Sequence, residues 1–219
     1  MAENWKHKSH LDQYRLDGKI AIVTGGGQGI GESCAHALVE AGANVIIVGR
    51  NEDNLNAVST ELNKKGQSSY FVADLVNTVE IKALQDYVAK KYKRADILIN
   101  NAGIGQWKSA LDITTEDWDL MIKTNLSSAF QLSQQFGKMM IDNKYGKIVN
   151  ISSISGLIVN SEHSHVHYLT SKAGLIHLTR GLAVEWIKSG VRVNCITPGY
   201  TATKMLTDLL LSPDGIEIG

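Results

Sequence analysis

Only two prolines and two cysteines occur in 219 residues, aromatics make up 6%, and net charge is absent, with 22 Lys+Arg against 22 Asp+Glu. Each scarcity excludes something. Two thiols cannot build a disulfide scaffold or a cysteine zinc ribbon. Cys34 and Cys195 both sit in apolar surroundings and read as buried, inert thiols. So few prolines, with no Gly/Ser linker or low-complexity stretch, leave nothing to divide the chain into separate units. Balanced charge offers no basic field to draw nucleic acid. The longest apolar runs span a few residues, far short of the ~20 that cross a bilayer. The polar opening Met1-Ala2-Glu3-Asn4-Trp5-Lys6 lacks the apolar stretch of a secretory leader, so the expectation is a cytoplasmic protein with no membrane and no nucleic-acid partner.

What is present is ordinary globular material, 43% apolar and 20% charged. A chain of this size can bury about 70% of its surface in one core. Six short apolar, β-branched runs, at 19–25, 43–48, 70–74, 96–100, 147–151 and 191–196, read as strands buried on both faces of a parallel sheet. Between them lie helical segments at about 31–41, 52–65, 78–92, 115–142 with a break near Thr124, and 168–189. In the last, Leu169, Ala173, Ile176, Leu182, Ala183 and Trp186 fall largely on one stripe. Alternating strands and helices predict an α/β doubly wound, Rossmann-like parallel sheet with helices on both faces. Residues 1–15 read as a polar extension and 16–219 as a single dinucleotide-binding catalytic domain. Ligands of such sheets bind beyond the carboxyl ends of the strands, so the strand ends are where function should be sought.

The first strand ends in Thr24-Gly25-Gly26-Gly27-Gln28-Gly29-Ile30-Gly31 and a helix follows. Glycines there permit a sharp turn and let backbone N–H groups approach a pyrophosphate at the helix N-terminus. The spacing departs from G-x-G-x-x-G, and no Gly-Lys-Ser/Thr follows, which excludes a nucleoside-triphosphate loop. A plain strand–helix corner is the alternative. The second strand ends in Gly49-Arg50, with no acid for a ribose 2′-hydroxyl, and an arginine there accommodates the 2′-phosphate of NADP. That favours NADP over NAD, although Arg50 could equally cap a surface turn.

Tyr168 and Lys172 lie four apart on the last helix and share a face. A neighbouring ammonium is expected to lower a phenol's pKa from ~10 towards the range of general acid–base work. A bare Tyr-x-x-x-Lys is common by chance and gains weight from its company. Thr24 through Gly31, Asn100-Asn101-Ala102-Gly103, Asn125, Ser153, Tyr168-x-x-x-Lys172 and Pro198-Gly199, in that order and spacing, resemble the short-chain dehydrogenases/reductases. The resemblance runs from about Leu16 to Met205.

It implies an NAD(P)-dependent oxidoreductase acting on a secondary alcohol or ketone, with no metal. By position, Gly25, Gln28, Gly29, Ile30 and Gly31 line the cofactor diphosphate and ribose. Arg50 meets the 2′-phosphate, Asp74 and the Leu75 backbone meet the adenine, and Asn101, Ala102 and Gly103 border the adenosine. Pro198, Gly199, Thr201 and Thr203 hold the carboxamide. Catalysis falls to Tyr168 as acid–base, Ser153 on the substrate oxygen, Lys172 on the ribose and the Tyr168 pKa, and Asn125, which kinks its helix and holds a water of a proton relay.

Between Ser153 and Tyr168 lies a polar stretch with His163, His165 and His167. With Glu162 as the sole carboxylate nearby, it reads as a substrate-bordering loop rather than a metal site. This loop, with 177–186, 198–205 and 14–19, is similar to the polyol branch, which includes galactitol- and arabinitol-type enzymes, and implies a sugar alcohol or ketose. Reduction of a 3-oxoacyl thioester is the alternative activity. Relatives of this kind run on through a further helix and strand, so a C-terminally short sheet, and with it a cofactor-binding module without turnover, is a third reading. A homo-oligomer, dimer or tetramer, is expected, with Phe130, Phe136 and Trp186 as contact residues or, equally, as core.

Overall fold

Strand residues alternate sides, so a strand that feeds two cores must be apolar at every position. Ile20 and Ile22 enter one core while Ala21 and Val23 enter the other, all within β1 (Ile20–Thr24). In the computed structural model, which describes residues 10–159 and 165–210, six strands pair in parallel in the order β3-β2-β1-β4-β5-β6. The others are β2 (Asn44–Gly49), β3 (Gln67–Val72), β4 (Ile97–Asn100), β5 (Gly146–Ile151) and β6 (Val191–Ile196). The chain winds outwards in both directions from the β1–β4 seam, the doubly wound order expected of it.

Seven helices accompany the strands among the described residues. On one face α1 (Gly29–Glu40) and α2 (Glu52–Leu62) pack Ala35, Val39, Leu55 and Leu62 against the sheet. On the other, α3 (Thr78–Tyr92), α5 (Ser128–Asp142) and α6 (Val166–Trp186) bring Leu84, Val88, Leu132, Phe136, Met140 and Leu182. Helix starts are fixed locally. Asn51 Oδ1 accepts from Asn54 N at 2.9 Å and Asn77 Oδ1 from Val79 N at 3.0 Å. Thr114 and Asp117 form a capping box on α4 (Thr115–Ile122). The break foreseen near Thr124 is a π-type turn, Lys123–Ser127, between α4 and α5. A short α7 (Lys204–Leu210) ends the described chain.

Several sequence expectations are corrected. The strand foreseen at 70–74 begins at Gln67 and ends before Asp74. Polar Gln67, Ser68 and Ser69 pair with β2 because β3 lies at the sheet edge, where water reaches them. For the same reason β6, outermost among the described strands, alternates buried and exposed residues instead of being buried on both faces. Helix α1 starts at Gly29, two residues earlier than its period suggested. The buried face of α6 keeps Ile176 and Leu182 of the foreseen stripe, with Ala183 and Trp186 packed on the core, but is otherwise largely polar. Ala173 is exposed, and His167, Ser171, Lys172, Leu175, Ile176, Thr179 and Leu182 face inwards. Phe136 is wholly buried core, so it is not available for a subunit contact; Trp186 packs partly buried on the same core, over Gly137, and Phe130 is exposed. Cys34 and Cys195 are half-buried rather than buried, yet burial still pushes both thiols up.

Polar side chains cross the interior in one connected line. Asn100 Nδ2 donates to Asn150 Oδ1 at 2.8 Å and to Ser133 Oγ at 3.0 Å. Asn150 Nδ2 donates to Thr179 Oγ1 at 2.9 Å, whose hydroxyl donates to the Leu175 carbonyl at 2.7 Å. This line ties β4, β5, α5 and α6 together where no water can substitute. Asn150→Leu is expected to strip partners from buried groups and cost about 2–3 kcal/mol. Urea unfolding checks it, with a midpoint about 1 M lower than wild type.

Candidate active site

Two adjoining cavities open at the carboxyl ends of the strands. One, about 290 Å³, is lined by Gly25, Gln28, Gly29, Ile30, Arg50, Asp74, Leu75, Asn101, Ala102, Gly103 and Thr203, with Asn51, Asn54 and Leu55. The other, about 460 Å³, is lined by Ser153, Tyr168, Lys172, Pro198, Gly199, Tyr200, Thr201 and Thr203, with Gln106, Trp107, Ser155 and His165. Ile30, Asn101, Gly103, Ile104 and Thr203 border both.

The first cavity fits the diphosphate and adenosine part of a dinucleotide. Gly25 and Gly29 have φ of +64° and +58°, a conformation other residues resist. Gln28 precedes α1 without a side-chain cap, so its first-turn N–H groups keep their capacity for an anion. Gly31 corrects the sequence reading. It borders neither cavity, and a Cβ there would lie 2.2 Å from the Gly25 carbonyl oxygen, so it serves the close fold of the turn. Exposed Arg50 stands where β2 ends. Asp74 already accepts from Val76 N at 3.1 Å through Oδ1, leaving its second oxygen for a ligand.

In the second cavity the chain sets a buried lysine beside a half-buried tyrosine. Lys172 is 5% exposed; its ammonium donates to the Ile151 carbonyl at 3.0 Å, and its own carbonyl accepts from Ser152 Oγ at 2.8 Å. Burial lowers its pKa to about 8. Lys172 Nζ lies 5.7 Å from the Tyr168 ring centre, as the four-residue spacing implies. The expected lowering of the Tyr168 pKa is not what this geometry produces. Burial pushes the phenol up, a hydrogen bond with the Ser153 side chain pulls it down by less, and the lysine points to Ile151. Ser153 also caps the turn Ile154–Gly156, its Oγ accepting from Ser155 N at 3.1 Å, which fixes the hydroxyl.

Asn125 is buried and borders neither cavity. Its Oδ1 accepts from Ile104 N at 2.8 Å, and its Nδ2 donates to the Ile104 carbonyl at 2.9 Å and to Ser171 Oγ at 3.1 Å. It therefore clamps the backbone that borders both cavities. Of the loop histidines, His163 lies outside the described residues. His165 borders the cavity with its ring centre 5.7 Å from that of Tyr168, and His167 is buried against Gln106 at 3.0 Å. Sequence reasoning missed Gln106, Trp107 and Tyr200. Their only signal was position, just beyond the strand ends.

The Lys172 pKa carries a stability consequence. Between about pH 8 and its ordinary 10.5 the unfolded chain binds a proton that the folded chain does not. Lys172 thus adds stability as pH rises through that window and withdraws it as pH falls through about 8. Lys172→Met is expected to gain on wild type by up to ~3 kcal/mol as pH drops from 10.5 to below 8, at ~1.4 kcal/mol per pH unit. Urea unfolding of both proteins across that range is the measurement.

Comparison with known proteins follows the same lines. The sequence profile of a family described as short chain dehydrogenase matches residues 19–212. A galactitol 2-dehydrogenase of Rhizobium johnstonii is 41% identical over 199 residues, 90% of this chain and 77% of that one. A 3-oxoacyl-acyl-carrier-protein reductase of Aquifex aeolicus is 37% identical, over 88% of this chain and 78% of that one. The crystal structure of a putative NAD(P)-dependent gluconate 5-dehydrogenase from Beutenbergia cavernae, described with bound NADP at low occupancy, superposes with a TM-score of 0.85. That match has 35% identity and covers 90% of this chain and 78% of that one.

Proposed function

The chain belongs to the short-chain dehydrogenase family, and on that premise we propose that it interconverts a secondary alcohol and a ketone of a sugar alcohol or ketose with a nicotinamide dinucleotide. The observation that carries this is the convergence of Tyr168, Ser153 and Lys172 on one cavity that adjoins the glycine-turn cleft. When bound, the nicotinamide supplies or receives the hydride.

The chain's own residues do the rest. Tyr168 gives its phenolic proton to the carbonyl oxygen in reduction and takes the hydroxyl proton in oxidation. Ser153 holds and polarises that oxygen through its fixed hydroxyl. Lys172 holds the nicotinamide ribose and supplies positive charge beside Tyr168. Gly25, Gln28, Gly29 and Ile30 take the diphosphate, with Asp74 and Leu75 on the adenine and Asn101, Ala102 and Gly103 along the adenosine. Pro198, Gly199, Thr201 and Thr203 take the carboxamide. Asn125 acts through the Ile104 backbone it clamps.

Arg50, with no acid in the Gly49 position, supports NADP over NAD. The polar lining of Ser153, Ser155, Gln106 and His165 supports a hydroxylated substrate that needs hydrogen-bond partners, as does the name of the galactitol relative. Exposed Phe130 on α5 and Val184 on α6 support a homo-oligomer, and two unpaired thiols support work in the reducing cytoplasm. No described helix is long and apolar enough to cross a membrane.

Absorbance at 340 nm with a polyol and ketose panel, beside a 3-oxoacyl thioester, tests the assignment. Turnover of the thioester alone would replace it, and binding without turnover would point to a non-catalytic module. Tyr168→Phe is expected to lower kcat by about 10³-fold while NADPH affinity stays within a few fold. Retained turnover would refute its role. Arg50→Ala should weaken NADPH about tenfold and NADH less than twofold, by fluorescence titration; equal losses would remove the 2′-phosphate assignment.

A further inference from the structure

Gln106 sits on the irregular stretch after β4 and borders the cavity that holds Ser153 and Tyr168. Its amide is gripped from two sides. Gln106 Oε1 lies 3.0 Å from His167 Nε2, and Gln106 Nε2 lies 3.4 Å from Asp117 Oδ1. Asp117 is itself immobilised at the start of α4. Its Oδ2 accepts from Lys108 Nζ at 2.5 Å and from the Thr114 backbone and hydroxyl at 3.1 Å each.

Which way the amide faces follows from charge. Lys108 and the Thr114 backbone hold the Asp117 carboxyl well below the usual carboxylate range, so it accepts only. The NH₂ of Gln106 must face Asp117, its carbonyl oxygen must face His167, and His167 Nε2 must carry the hydrogen. His167 is buried and directly precedes Tyr168 on α6, so the same contact ties the amide's position to that of the phenol. An amide offers two N–H donors and two lone pairs. One of each is taken by Asp117 and His167. One of each remains, and a single hydroxyl, which both donates and accepts, satisfies both.

We infer that Gln106 is a specificity-determining residue that binds a second substrate hydroxyl, on the carbon next to the reacting one, with His167 and Asp117 as the residues that position it. This rests on the alcohol–ketone reading of the site and names what that site selects: a vicinal diol or α-hydroxyketone over a monohydric partner. Asp117 also caps α4, so the line from Lys108 through Asp117 and Gln106 to His167 anchors the amide to a fixed helix end, beside a cavity wall that includes Ile158 and Leu206.

The test compares butane-2,3-diol with butan-2-ol, the same carbon skeleton with and without the second hydroxyl. Wild type is expected to favour the diol by tenfold or more in kcat/KM, and Gln106→Leu to bring that ratio near one, chiefly through KM for the diol. NADPH titration reports whether the variant is folded. Should it fail there, Gln106→Glu, similar in shape but repelled by Asp117, carries the test with the same expected fall. His167→Phe should lower the ratio and His167→Gln, which keeps a donor, should recover part of it; a merely structural role would move both alcohols together. A wild type that prefers the diol and variants that keep the preference overturn the role of Gln106 alone. A wild type that turns over butan-2-ol with no diol preference, or turns over neither alcohol, overturns the polyol reading and this inference together.

Discussion

One hydroxyl holds the seam on which the site is built. Thr24 ends β1 beside β4, where the winding of the sheet changes direction, and is 1% exposed. Its Oγ1 donates to the Ile99 carbonyl at 3.2 Å and accepts from the backbone N–H of Asn101 at 3.0 Å and of Ala102 at 3.1 Å. Asn101 answers with its side-chain amide on the Thr24 carbonyl at 3.0 Å. Strands separated by such a reversal have no shared crossover above them, which is why a crevice exists there at all. Closing it with exchanged hydrogen bonds keeps the two chain ends in fixed relation while leaving room above them. The glycine turn leaves from one side of this stitch and the Gly103–Gln106 loop from the other, so both cavities inherit their geometry from it.

The same economy of buried polar contacts governs α6. An amphipathic helix slides on an apolar face at little energetic cost, because the hydrophobic effect is non-directional. Here the inward face carries His167, Ser171, Lys172 and Thr179, each with a directional partner on β5, the π-turn or the Gln106 loop. Breaking any of them leaves a buried group unsatisfied, so the helix has one docking position rather than a range. Tyr168 and Lys172 ride on that helix. Fixing the helix against the sheet fixes the phenol against Ser153, which belongs to the end of β5.

How far the sequence discloses this follows from how local each signal is. The glycine turn, the apolar inner strands and the Tyr168/Lys172 spacing are all set within a few residues, and each can be read from neighbours. The face of α6 is legible only in part: apolar period finds Ile176 and Leu182 but places Ala173 inside, where long-range hydrogen bonds bring Ser171, Lys172 and Thr179 instead. Gln106 and His167 are 61 residues apart and unremarkable singly. Phe136 and Trp186 show the converse limit: a large apolar residue on a helix is equally fit for a core or a contact, and only the packed sheet decides. Gly31 and Asn125 are legible as important positions, but the lack of room for a Cβ beside the Gly25 carbonyl and the grip on Ile104 have no signature in spacing.

Burial finally accounts for the resting protonation of the site. It disfavours charge on either group, raising the Tyr168 phenol and lowering the Lys172 ammonium to about 8. The two shifts carry the groups past each other, so the Lys172 ammonium, ordinarily the weaker acid of the two, becomes the one that gives up its proton first. Near neutral pH the phenol keeps its proton and the ammonium keeps most of its charge, which is the state that donates to a carbonyl oxygen. Drawing a proton from an alcohol instead asks Tyr168 to bear charge in a low-dielectric wall, where the nearest compensations are the Ser153 hydrogen bond and the ammonium 5.7 Å from its ring centre. Under the proposed mechanism, reduction starts from the protonated phenol, and oxidation leans on the Ser153 hydrogen bond and the Lys172 charge.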